Sequence, residues 1–363
     1  MSIVKNKSCR LRDVAEEAGL ALATVSEILN NKPCNYSSEE TRQRVRHIAQ
    51  KLGYRTNFGY KLMHGQKTHT VAIMNSMPRM NNEEYILSLI LQMIPEFDRL
   101  GYAAYCGTFT HDAASNLAKI KVLIWRGVEH FIFLGSPFGH EDIIKELEKN
   151  DLSYVSNSGN FKRCVNNGLD FGTVAIFNHL KEHVGSNFKL ICQEKELTNP
   201  HNSRIDGLNK VFPELSREQV ISNFVYTFPN IEFSIEDYRH VTYDIGYNTT
   251  RELLNKIPTL GGIVYTNDLL AIGGGGYLME KDNESLRSIL LYGFNNDHML
   301  NSFPLPISSI RHDIERQAKI LVKHSLEKAV CQETVFPALH IRTTNFNKRY
   351  PHWDETVISC APQ

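Results

Sequence analysis

Polar side chains next to predicted strands are the residues of this chain best suited to bind a small molecule. Asn267 follows an apolar strand at 262–265, and its amide offers a donor and an acceptor together, as a hydroxylated ligand requires. Arg204 opens a predicted helix, and its guanidinium fork can hold vicinal hydroxyls or a carboxylate. Each also has an ordinary structural use, Asn267 in the turn before a helix and Arg204 in a surface salt bridge. The chemistry indicated is hydrogen bonding.

Sequence patterns typical of catalysis or metal binding do not stand out. Gly273 to Gly276 have the glycines of a phosphate loop, but no Lys-Ser/Thr follows them. The run lies inside a helix predicted to start near Asp268, where glycines favour close helix packing. The 15 histidines show no metal-ligand spacing, so we expect no metal. No Gly-x-Gly-x-x-Gly follows a strand, and we expect neither a cofactor nor an enzyme.

The elements that would carry these side chains alternate between strand and helix from Val71 onward. Short apolar strands alternating with amphipathic helices predict parallel, doubly wound sheets, whose ligands bind outside the carboxyl ends of the strands. Two such series predict two Rossmann-like α/β lobes with a cleft between them. The first series is expected at 71–74, 85–100, 103–109, 116–126, 130–134, 141–150 and 153–156, and the second at 173–183, 189–192, 204–212, 247–256, 262–265, 269–280 and 288–292.

Residues 11–30 show a different pattern, that of two short helices around a tight turn. Their apolar stripes have helical spacing: Val14, Ala15 and Ala18, then Val25, Ile28 and Leu29. Gly19 marks the end of the first helix, and small residues allow the steep crossing of a helix-turn-helix, whose second helix can enter a major groove. Ser38 to Leu52 is a third predicted helix. Any pair of antiparallel helices could show this spacing, so the pattern alone leaves DNA binding open.

The charge distribution favours phosphate contact by this first segment. The whole chain has no net charge, yet residues 1–66 carry eleven Lys and Arg against six Asp and Glu, a net charge of +5. A basic module on a neutral protein is typical of nucleic-acid binding by that module. Taken alone, Arg42, Arg44 and Arg46 could equally form a solvated helix face.

Three pieces of sequence resemble the N-terminal headpiece of the lactose repressor (LacI/GalR) family of bacterial transcription regulators. Asp13 to Asn30 fit the pattern Asp-Val-Ala-x-x-Ala-Gly-x-x-x-x-Thr-Val-Ser-x-x-Leu-Asn. Ser38 to Arg42 and Leu52 to Tyr54 look like the third helix and its exit. The resemblance continues more thinly to about Arg342, and it implies a sensor core similar to periplasmic sugar-binding proteins.

The resemblance assigns DNA-contacting roles residue by residue. Leu22, Ala23 and Glu27 occupy its base-reading positions, and Glu27 stands where arginine is frequent. A glutamate can accept from the cytosine amino group, and the two apolar residues can touch thymine methyls. The other expected DNA contacts are Thr24, Ser26, Asn30, Thr41, Arg42 and Asn57.

The segment 57–66 resembles the family's hinge, a helix that folds on operator DNA and pushes an apolar side chain into the minor groove. Met63 corresponds to that wedge, which would unstack a base step and kink the duplex. From the residues alone, an ordinary buried methionine at a domain junction is an equally good interpretation. Thr56 replaces the family's usual proline, which makes a free hinge less helical and its ordering more dependent on DNA.

The resemblance also places an effector site in the cleft. Its expected ligands are Asn157, Arg204, Asn267 and Asn295, with Asp268 mainly a helix cap. Asn295-Asn296 stands where the family commonly has Asp-Asp, and Asn157 where many members have an acidic residue. Amides keep the hydrogen bonds but remove negative charge, which favours a neutral or anionic effector over a cationic one.

The family's organisation predicts these domain boundaries. We expect a headpiece at 1–56, a hinge and linker at 57–66, a core at 67–344 and a C-terminal extension at 345–363. The first lobe is expected at about 68–168 plus 314–340, and the second at 169–313 plus 341–344. The extension could pack on a lobe or contact another subunit, and the sequence leaves this open.

The sequence is thus identified as a member of a family of DNA-binding transcription regulators, and we expect a repressor. It would bind a palindromic operator as a homodimer, with a tetramer also possible, and respond to a carbohydrate-like effector. An alternative is control by a protein co-effector of the phosphocarrier type. The 42% hydrophobic content without a long apolar run predicts no membrane span, and the N-terminus has no signal-peptide core, so we expect a cytoplasmic, nucleoid-associated protein.

Overall fold

The computed structural model describes residues 9–30, 37–54, 67–76, 84–197, 202–230, 238–281, 288–344 and 353–362. The chain divides into two compact units, Met1–Thr68 and His69–Gln363. The larger unit therefore begins at His69, slightly after residue 67, where the core was expected to begin. The expected hinge segment 57–66, with Thr56, Asn57 and Met63, lies outside the described residues.

The first unit contains three helices among its described residues: α1 (Leu11–Ala18), α2 (Leu22–Leu29) and α3 (Glu39–Lys51). Gly19 ends α1 in the left-handed conformation that glycine adopts without strain, and Ser38 caps α3 by accepting from the Thr41 amide. The predicted apolar stripes form the core of this unit, with Val14, Val25 and Val45 fully buried. Both predicted helices of the 11–30 stretch and the third helix are confirmed.

The strands of the second unit are β1 (Thr70–Asn75), β2 (Ala103–Thr108), β3 (His130–Leu134), β4 (Ser153–Ser156), β5 (Cys164–Asn166), β6 (Phe188–Gln193), β7 (Val225–Phe228), β8 (Gly262–Tyr265), β9 (Leu290–Phe294), β10 (Ile307–Arg311), β11 (Gln332–Thr334), β12 (Ala338–Thr344) and β13 (Trp353–Ser359). Its helices are α4 (Glu84–Arg99), α5 (Ala113–Trp125), α6 (His140–Lys149), α7 (Leu169–Val184), α8 (Glu194–Leu197), α9 (Ser203–Val211), α10 (Arg217–Phe224), α11 (Tyr238–Lys256), α12 (Asp268–Glu280) and α13 (Ile314–Ser325), with a 3-10 turn at His298–Ser302.

These strands form two sheets, one in each lobe. The first has six strands in the order β11-β5-β4-β3-β1-β2, and all its neighbours pair in parallel. The second has seven strands in the order β13-β12-β10-β9-β8-β6-β7. It is parallel from β10 to β7, whereas β12 and β13 add two antiparallel strands at one edge. The predicted pair of doubly wound α/β lobes is confirmed.

Apolar clusters cover both faces of each sheet, as expected for parallel strands flanked by helices. In β1, Val71 and Ile73 pack into one cluster with α4 and α13, while Ala72 and Met74 pack into another with α5 and α6. The second lobe has the same arrangement of two clusters, one on each side of its sheet. The alternation of strand side chains therefore fixes which helix lies on which face.

The chain passes between the lobes at three places, and one differs from the expected boundary. The passages after β5 and after β10 lie near the predicted residues 168 and 313. The third falls before Ala338, because β12 is a strand of the second sheet along its whole length. The expected boundary at 340/341 therefore lies inside that strand.

The C-terminal segment set apart as an extension contributes a strand to the second lobe. Trp353–Ser359 pairs with β12 in antiparallel register, so this part packs on its own lobe. Only Trp353 of the seven residues of this strand is buried, so the strand needs no alternation of apolar and polar residues and its sequence pattern is weak. Within the described parts of the chain, no helix is long and apolar enough to cross a membrane.

The four-glycine run serves helix packing, as predicted. A Cβ atom at Gly273 would overlap the Tyr243 carbonyl of α11, and one at Gly274 would overlap the Tyr265 hydroxyl of β8. The backbone of α12 therefore approaches α11 and the sheet more closely than any side chain would allow. This contact explains why a helix carries four residues of low helix propensity.

Candidate functional site

Helix α2 presents several of the predicted base-reading residues to solvent. Leu22 is 50% exposed although it is apolar, and Ala23 is exposed beside it in the first turn. Thr24, Ser26 and Glu27 are half-buried on the same helix. Ala21 precedes the helix in an extended conformation without a side-chain cap, so the first N–H groups of α2 are available to a phosphate. An exposed, uncapped helix end of this kind suits contact with DNA.

The remaining predicted DNA contacts among the described residues already make local hydrogen bonds. Asn30 ends α2 and donates from its side chain to the Ser26 carbonyl at 2.7 Å. At the start of α3, the Thr41 hydroxyl lies 3.0 Å from that of Ser38, and Arg42 Nε donates to Ser37 Oγ at 3.3 Å. Their roles on DNA remain predictions.

A cavity of about 550 Å³ lies between the two lobes. It collects residues at the carboxyl ends of the strands from both sheets, where ligands bind in open α/β folds. The first lobe contributes Asn75, Tyr85, Ile86, Leu134, Gly135, Asn157, Ser158, Gly159 and Asn166, and the second lobe and the connections contribute Asn167, Leu169, Asp170, Ser203, Arg204, Thr266, Phe294, Asn295 and His312. Asparagine is the commonest residue type of this lining, and aromatic rings from both lobes accompany the amides.

Arg204 lines this cavity and is held by three neighbours, and its contact with an effector stays a prediction. Its guanidinium carbon is 4.6 Å from the centre of the Phe294 ring, a cation–π contact. Nη2 donates to the Thr266 carbonyl at 2.8 Å, and Nη1 lies 3.8 Å from a carboxylate oxygen of Glu196. Nε is buried and has no hydrogen-bond partner. The guanidinium is thus fixed in orientation and retains an unused donor.

Asn157 and Asn295 also line the cavity, and their contacts with an effector stay predictions. The Asn157 carbonyl oxygen accepts from the Gly135 amide at 2.6 Å, which leaves its NH₂ group to donate to a ligand. Asn295 has a φ of 95° and follows β9 in a left-handed turn with Asn296, whose φ is 54°. Asparagine tolerates such backbone angles better than most residues. The turn therefore explains two asparagines at this place independently of any ligand.

Asn267 and Asp268 play different roles from those expected. Asn267 is the N-cap of α12, where its side chain accepts from the Leu270 amide at 2.8 Å, and Thr266 rather than Asn267 is among the cavity residues. Asp268, predicted to be mainly a cap, is fully buried and accepts from the Asp297 amide and the Ser309 hydroxyl, each at 2.7 Å. The capping prediction for Asp268 is wrong, because its carboxylate ties α12 to the loop after β9 and to strand β10 instead.

His312 is a cavity residue that the sequence analysis did not select. Its ring lies 4.6 Å from that of Tyr85, and only 5% of the residue is exposed. Burial, with a smaller contribution from the charge of Arg204, lowers the pKa of His312 to about 4, despite its hydrogen bond to the Asn167 backbone. Nδ1 has no partner, so a neutral imidazole stands with an unused nitrogen where the chain passes from one lobe to the other.

Acidic residues lie at the edge of the site. Burial, together with the charge of Asp297, raises the pKa of Asp268 well above its usual value. Burial, and then the charge of Glu84, raises the pKa of Asp297 to about 6. Glu84 belongs to the first lobe and accepts from the His298 amide of the second at 2.9 Å. The lobes are therefore joined here by a bond that a change in their separation would break.

The additional cavity residues share a signal that the sequence did contain. Asn75, Thr266 and His312 are polar residues at or just after the end of a strand. Tyr85 and Phe294 show no such signal, since a buried aromatic residue in an apolar run looks like core. No group of three or more His, Cys, Asp or Glu suited to a metal ion occurs among the described residues.

A small three-helix unit with an exposed second helix, in one chain with two parallel α/β lobes around a polar cavity, defines a class of protein. It is that of DNA-binding transcription regulators with a core like that of periplasmic binding proteins. Residues 10–57 match the model of the "Bacterial regulatory proteins, lacI family". The first unit is therefore similar to the DNA-binding segment of LacI-family regulators, which indicates a DNA-binding transcriptional regulator.

Curated relatives match along most of the chain. An HTH-type transcriptional regulator of Lachnoclostridium phytofermentans is 20% identical over 320 residues, which are 84% of this chain and 88% of that protein. The HTH-type transcriptional repressor PurR of Glaesserella parasuis is 21% identical over 324 residues, 88% and 89% of the two chains.

Solved structures show the same fold. The lac repressor dimer bound to operator and the anti-inducer ONPF has a TM-score of 0.69 at 16% identity, covering 91% of this chain and 96% of that one. The Cra transcriptional dual regulator of Pseudomonas putida, in complex with fructose 1-phosphate, has a TM-score of 0.57 at 14% identity, covering 81% and 100%.

Proposed function

We propose that this regulator is a repressor whose DNA binding is controlled by a small polyhydroxylated effector, neutral or anionic, held in the cavity between the lobes. The observation that carries the proposal is the composition of that cavity. Amides from both lobes supply paired donors and acceptors, as sugar hydroxyls require. Arg204 adds a fixed cation with an unused donor.

The charge of the cavity supports a neutral or anionic effector over a cationic one. Apart from Arg204, its charged residue is Asp170, which already pairs with Lys210 at 3.2 Å. His312 adds no charge near neutral pH, because burial keeps its pKa low. The fructose 1-phosphate complex of the Cra regulator supports an anionic sugar as one possibility. Asn157, Arg204 and Asn295 are the proposed contacts, and Asn267 is proposed only as support for the Thr266 turn.

On DNA, we propose that α2 enters the major groove of a palindromic operator. Leu22 and Ala23 would touch thymine methyls, and Glu27 would accept from a cytosine amino group. Thr24, Ser26, Asn30, Thr41, Arg42 and Asn57 would contact phosphates or flanking bases, and Met63 would act as the minor-groove wedge. Operator sites can be obtained by selection from random duplexes. Glu27→Ala is expected to relax the preference at one base pair of each half-site, by about 1–3 kcal/mol.

The two-part experiment for effector control uses the full chain and the selected operator. Melting temperatures and gel retardation are measured with D-glucose, D-gluconate and D-fructose 1-phosphate as probes. A probe that raises the melting temperature of the wild type should change operator affinity by a measurable factor, because a ligand shifts a two-state equilibrium only through its differential affinity.

Arg204→Met is then expected to weaken the binding of that probe roughly tenfold or more, since a hydrogen bond to a charged group is lost while the aliphatic part of the side chain stays. Arg217→Met is the matched control, because Arg217 is an arginine of the same lobe that pairs with Asp206 and does not line the cavity. Equal affinities in both variants would place the effector elsewhere. A chain that retards DNA but responds to no probe would favour the protein co-effector of the phosphocarrier type.

We further propose that the chain is a homodimer, since one headpiece reads too few base pairs for useful specificity and a two-fold dimer reads two half-sites. One side of the first lobe supports a second copy as the partner. There β2 is the edge strand, and the helices joined to it on opposite faces, α4 and α5, carry exposed apolar residues: Leu87, Leu91, Val122 and Trp125. A larger assembly such as a tetramer would need a further interface. As a DNA-binding protein, it would act on the chromosome in the cytoplasm.

A substitution on this side tests the dimer. Leu91 is 66% exposed, and Leu91→Lys is expected to shift the protein from dimer to monomer in light scattering, because a charge would have to be buried without a partner. Val330→Lys, at an exposed valine after α13, should leave the mass unchanged. A Leu91→Lys variant that remains dimeric would show that the interface lies elsewhere.

A further inference from the structure

A buried arginine joins the C-terminal strand to the second lobe. Arg342 on β12 stands directly opposite Glu355 on β13, and its Nη2 lies 3.0 Å from a carboxylate oxygen of Glu355. The Arg342 side chain is only 1% exposed, and its guanidinium carbon is 4.7 Å from the ring centre of Trp353. Opposite charges at facing positions of antiparallel strands stabilise the pair, and the Trp353 ring covers the guanidinium.

The same guanidinium reaches the turn after β9. Nη2 of Arg342 donates to the Asn296 side-chain oxygen at 2.8 Å, and Nη1 donates to the Ile307 carbonyl at 2.8 Å. Asn295 and Asn296 both have positive φ, so this turn depends on its contacts to keep its shape. Phe294 and Asn295 at the start of this turn line the cavity, and the Arg204 guanidinium packs over the Phe294 ring.

A buried guanidinium needs a nearby negative charge, because a desolvated ion without a counter-ion is costly. Asn296 offers an oxygen without charge. The Asp268 carboxylate also attracts Arg342, but less than Glu355 does, and its oxygens accept from the Asp297 amide and the Ser309 hydroxyl. Burial raises the pKa of Asp268 well above its usual value, which reduces its negative charge. Glu355 is the acidic residue in contact with Arg342 in the described part of the chain. His340 Nδ1 lies 3.2 Å from the same oxygen of Glu355, and burial lowers the pKa of His340, so the histidine adds little charge.

We infer that Glu355 is a positioning residue for the effector-binding turn: it holds Arg342, which in turn holds Asn296 and the cavity residues next to it. The inference rests on the proposed function in one respect, namely that the cavity is the effector site. This role of Glu355 also explains why the carboxylate that pairs with Arg342 is not part of the turn. The carboxylate lies on a strand beyond the turn, so the turn itself can face the cavity with amides alone and leave room for an anionic ligand.

Hydrogen exchange of the full-length protein tests this link without a known effector. Three amides of the turn are hydrogen-bonded: Asn295 to the Ile310 carbonyl, Asn296 to Ser309 Oγ and Asp297 to Asp268 Oδ2. In Glu355→Gln their exchange is expected to be roughly tenfold faster, because the charge-assisted bond to Arg342 is weakened. Exchange in β8 should stay unchanged, which would exclude general unfolding.

Two further variants decide the cause. Glu333→Gln is the matched control, since Glu333 is also a strand glutamate beside a histidine, at 3.1 Å from His324, but lies in the first lobe. It should leave the turn unaffected. Asn296→Asp places a carboxylate next to Arg342 from the other side, and in the Glu355→Gln background it should restore slow exchange. A merely structural β13 would give no such rescue.

Unchanged exchange of the turn in Glu355→Gln, or an increase spread over β8 as well, would overturn the inference. If Asn296→Asp fails to restore slow exchange in the Glu355→Gln background, the role assigned to the carboxylate charge is wrong. These outcomes are independent of the effector assay. A turn held by Glu355 in a protein whose DNA binding responds to no sugar would retain the inference about positioning and refute the proposed effector control.

Discussion

The unusual protonation of His312 leads to a prediction about stability. The imidazole is enclosed by Tyr85 of the first lobe, the Asn167 backbone and the cavity, with Arg204 near enough to oppose a second positive charge. Asp170 also lines the cavity, but it is paired with Lys210. The folded protein therefore keeps His312 neutral at a pH where the unfolded chain protonates it. His312→Gln removes the titration while keeping a polar side chain of similar reach.

The magnitude follows from the two pKa values. The pKa of His312 is about 4 in the folded protein against 6.5 for an ordinary histidine, a difference worth about 3 kcal/mol when both transitions are complete. Since the folded pKa is the lower one, the unfolded state takes up the proton first. Stability is unaffected above pH 6.5, and it falls as the pH drops from 6.5 to 4. Between pH 7.5 and pH 5.0 the expected loss is about 2 kcal/mol.

The assay is urea unfolding of wild type and His312→Gln at both pH values, followed by circular dichroism. Other titrating groups are shared by the two proteins and cancel in the difference, which matters because Asp297 acts in the opposite direction. The stability of the wild type relative to the variant should therefore fall by about 2 kcal/mol at pH 5.0. His111→Gln, at an exposed histidine, should follow the wild type. Parallel curves for wild type and His312→Gln would refute the reasoning, since they would mean that the folded protein protonates this ring freely.

Two further variants test neighbouring features. Asp297→Asn is expected to stabilise the core by about 1–3 kcal/mol at pH 7.5, because the raised pKa of Asp297, about 6, means that its charged form costs stability above pH 6. The gain should shrink as the pH falls below 6. A gain that does not depend on pH would contradict the role given to the Asp297 charge. Gly274→Ala is expected to cost about 1–3 kcal/mol in urea unfolding, because its Cβ would overlap the Tyr265 hydroxyl, whereas Met279→Ala at an exposed position of α12 should cost little; equal effects would argue against close packing at the glycines.

The alternation of apolar strands and helices was enough to predict the two lobes. The strands at 130–134, 153–156 and 262–265 have the predicted bounds, because short β-branched or aromatic runs between polar turns have few alternatives. The elements without a prediction, such as α10, β7 and β13, are short or have weak periodicity. Strand β13 is exposed along most of its length, so no hydrophobic pattern marks it.

The site was harder to predict because its residues meet through the tertiary fold. Arg204 could be selected from its motif, but its ring partner Phe294 looks like an ordinary core residue of a strand. His312 follows a strand as a polar residue, yet nothing in the sequence shows that its ring is buried beside Tyr85 of the other lobe. Adjacent residues also exchanged roles. Asn267 and Asp268 can both cap a helix, and the choice depends on which side chain the backbone directs toward strand β10 and the loop after β9.

The distribution of charge connects these observations. Where the family commonly has two acids after β9, this chain has Asn295 and Asn296, and Arg342 receives its carboxylate from the C-terminal strand instead. The acids that remain nearby already have partners: Asp268 is bonded to the Asp297 amide and Ser309, and Asp170, which lines the cavity, is paired with Lys210. A cationic ligand would thus find amides and an arginine, whereas an anionic or neutral one would meet donors that lack partners. The same substitutions that make the cavity less acidic make its shape depend on residues 353–359, so the effector site and the C-terminal strand are expected to tolerate change only together.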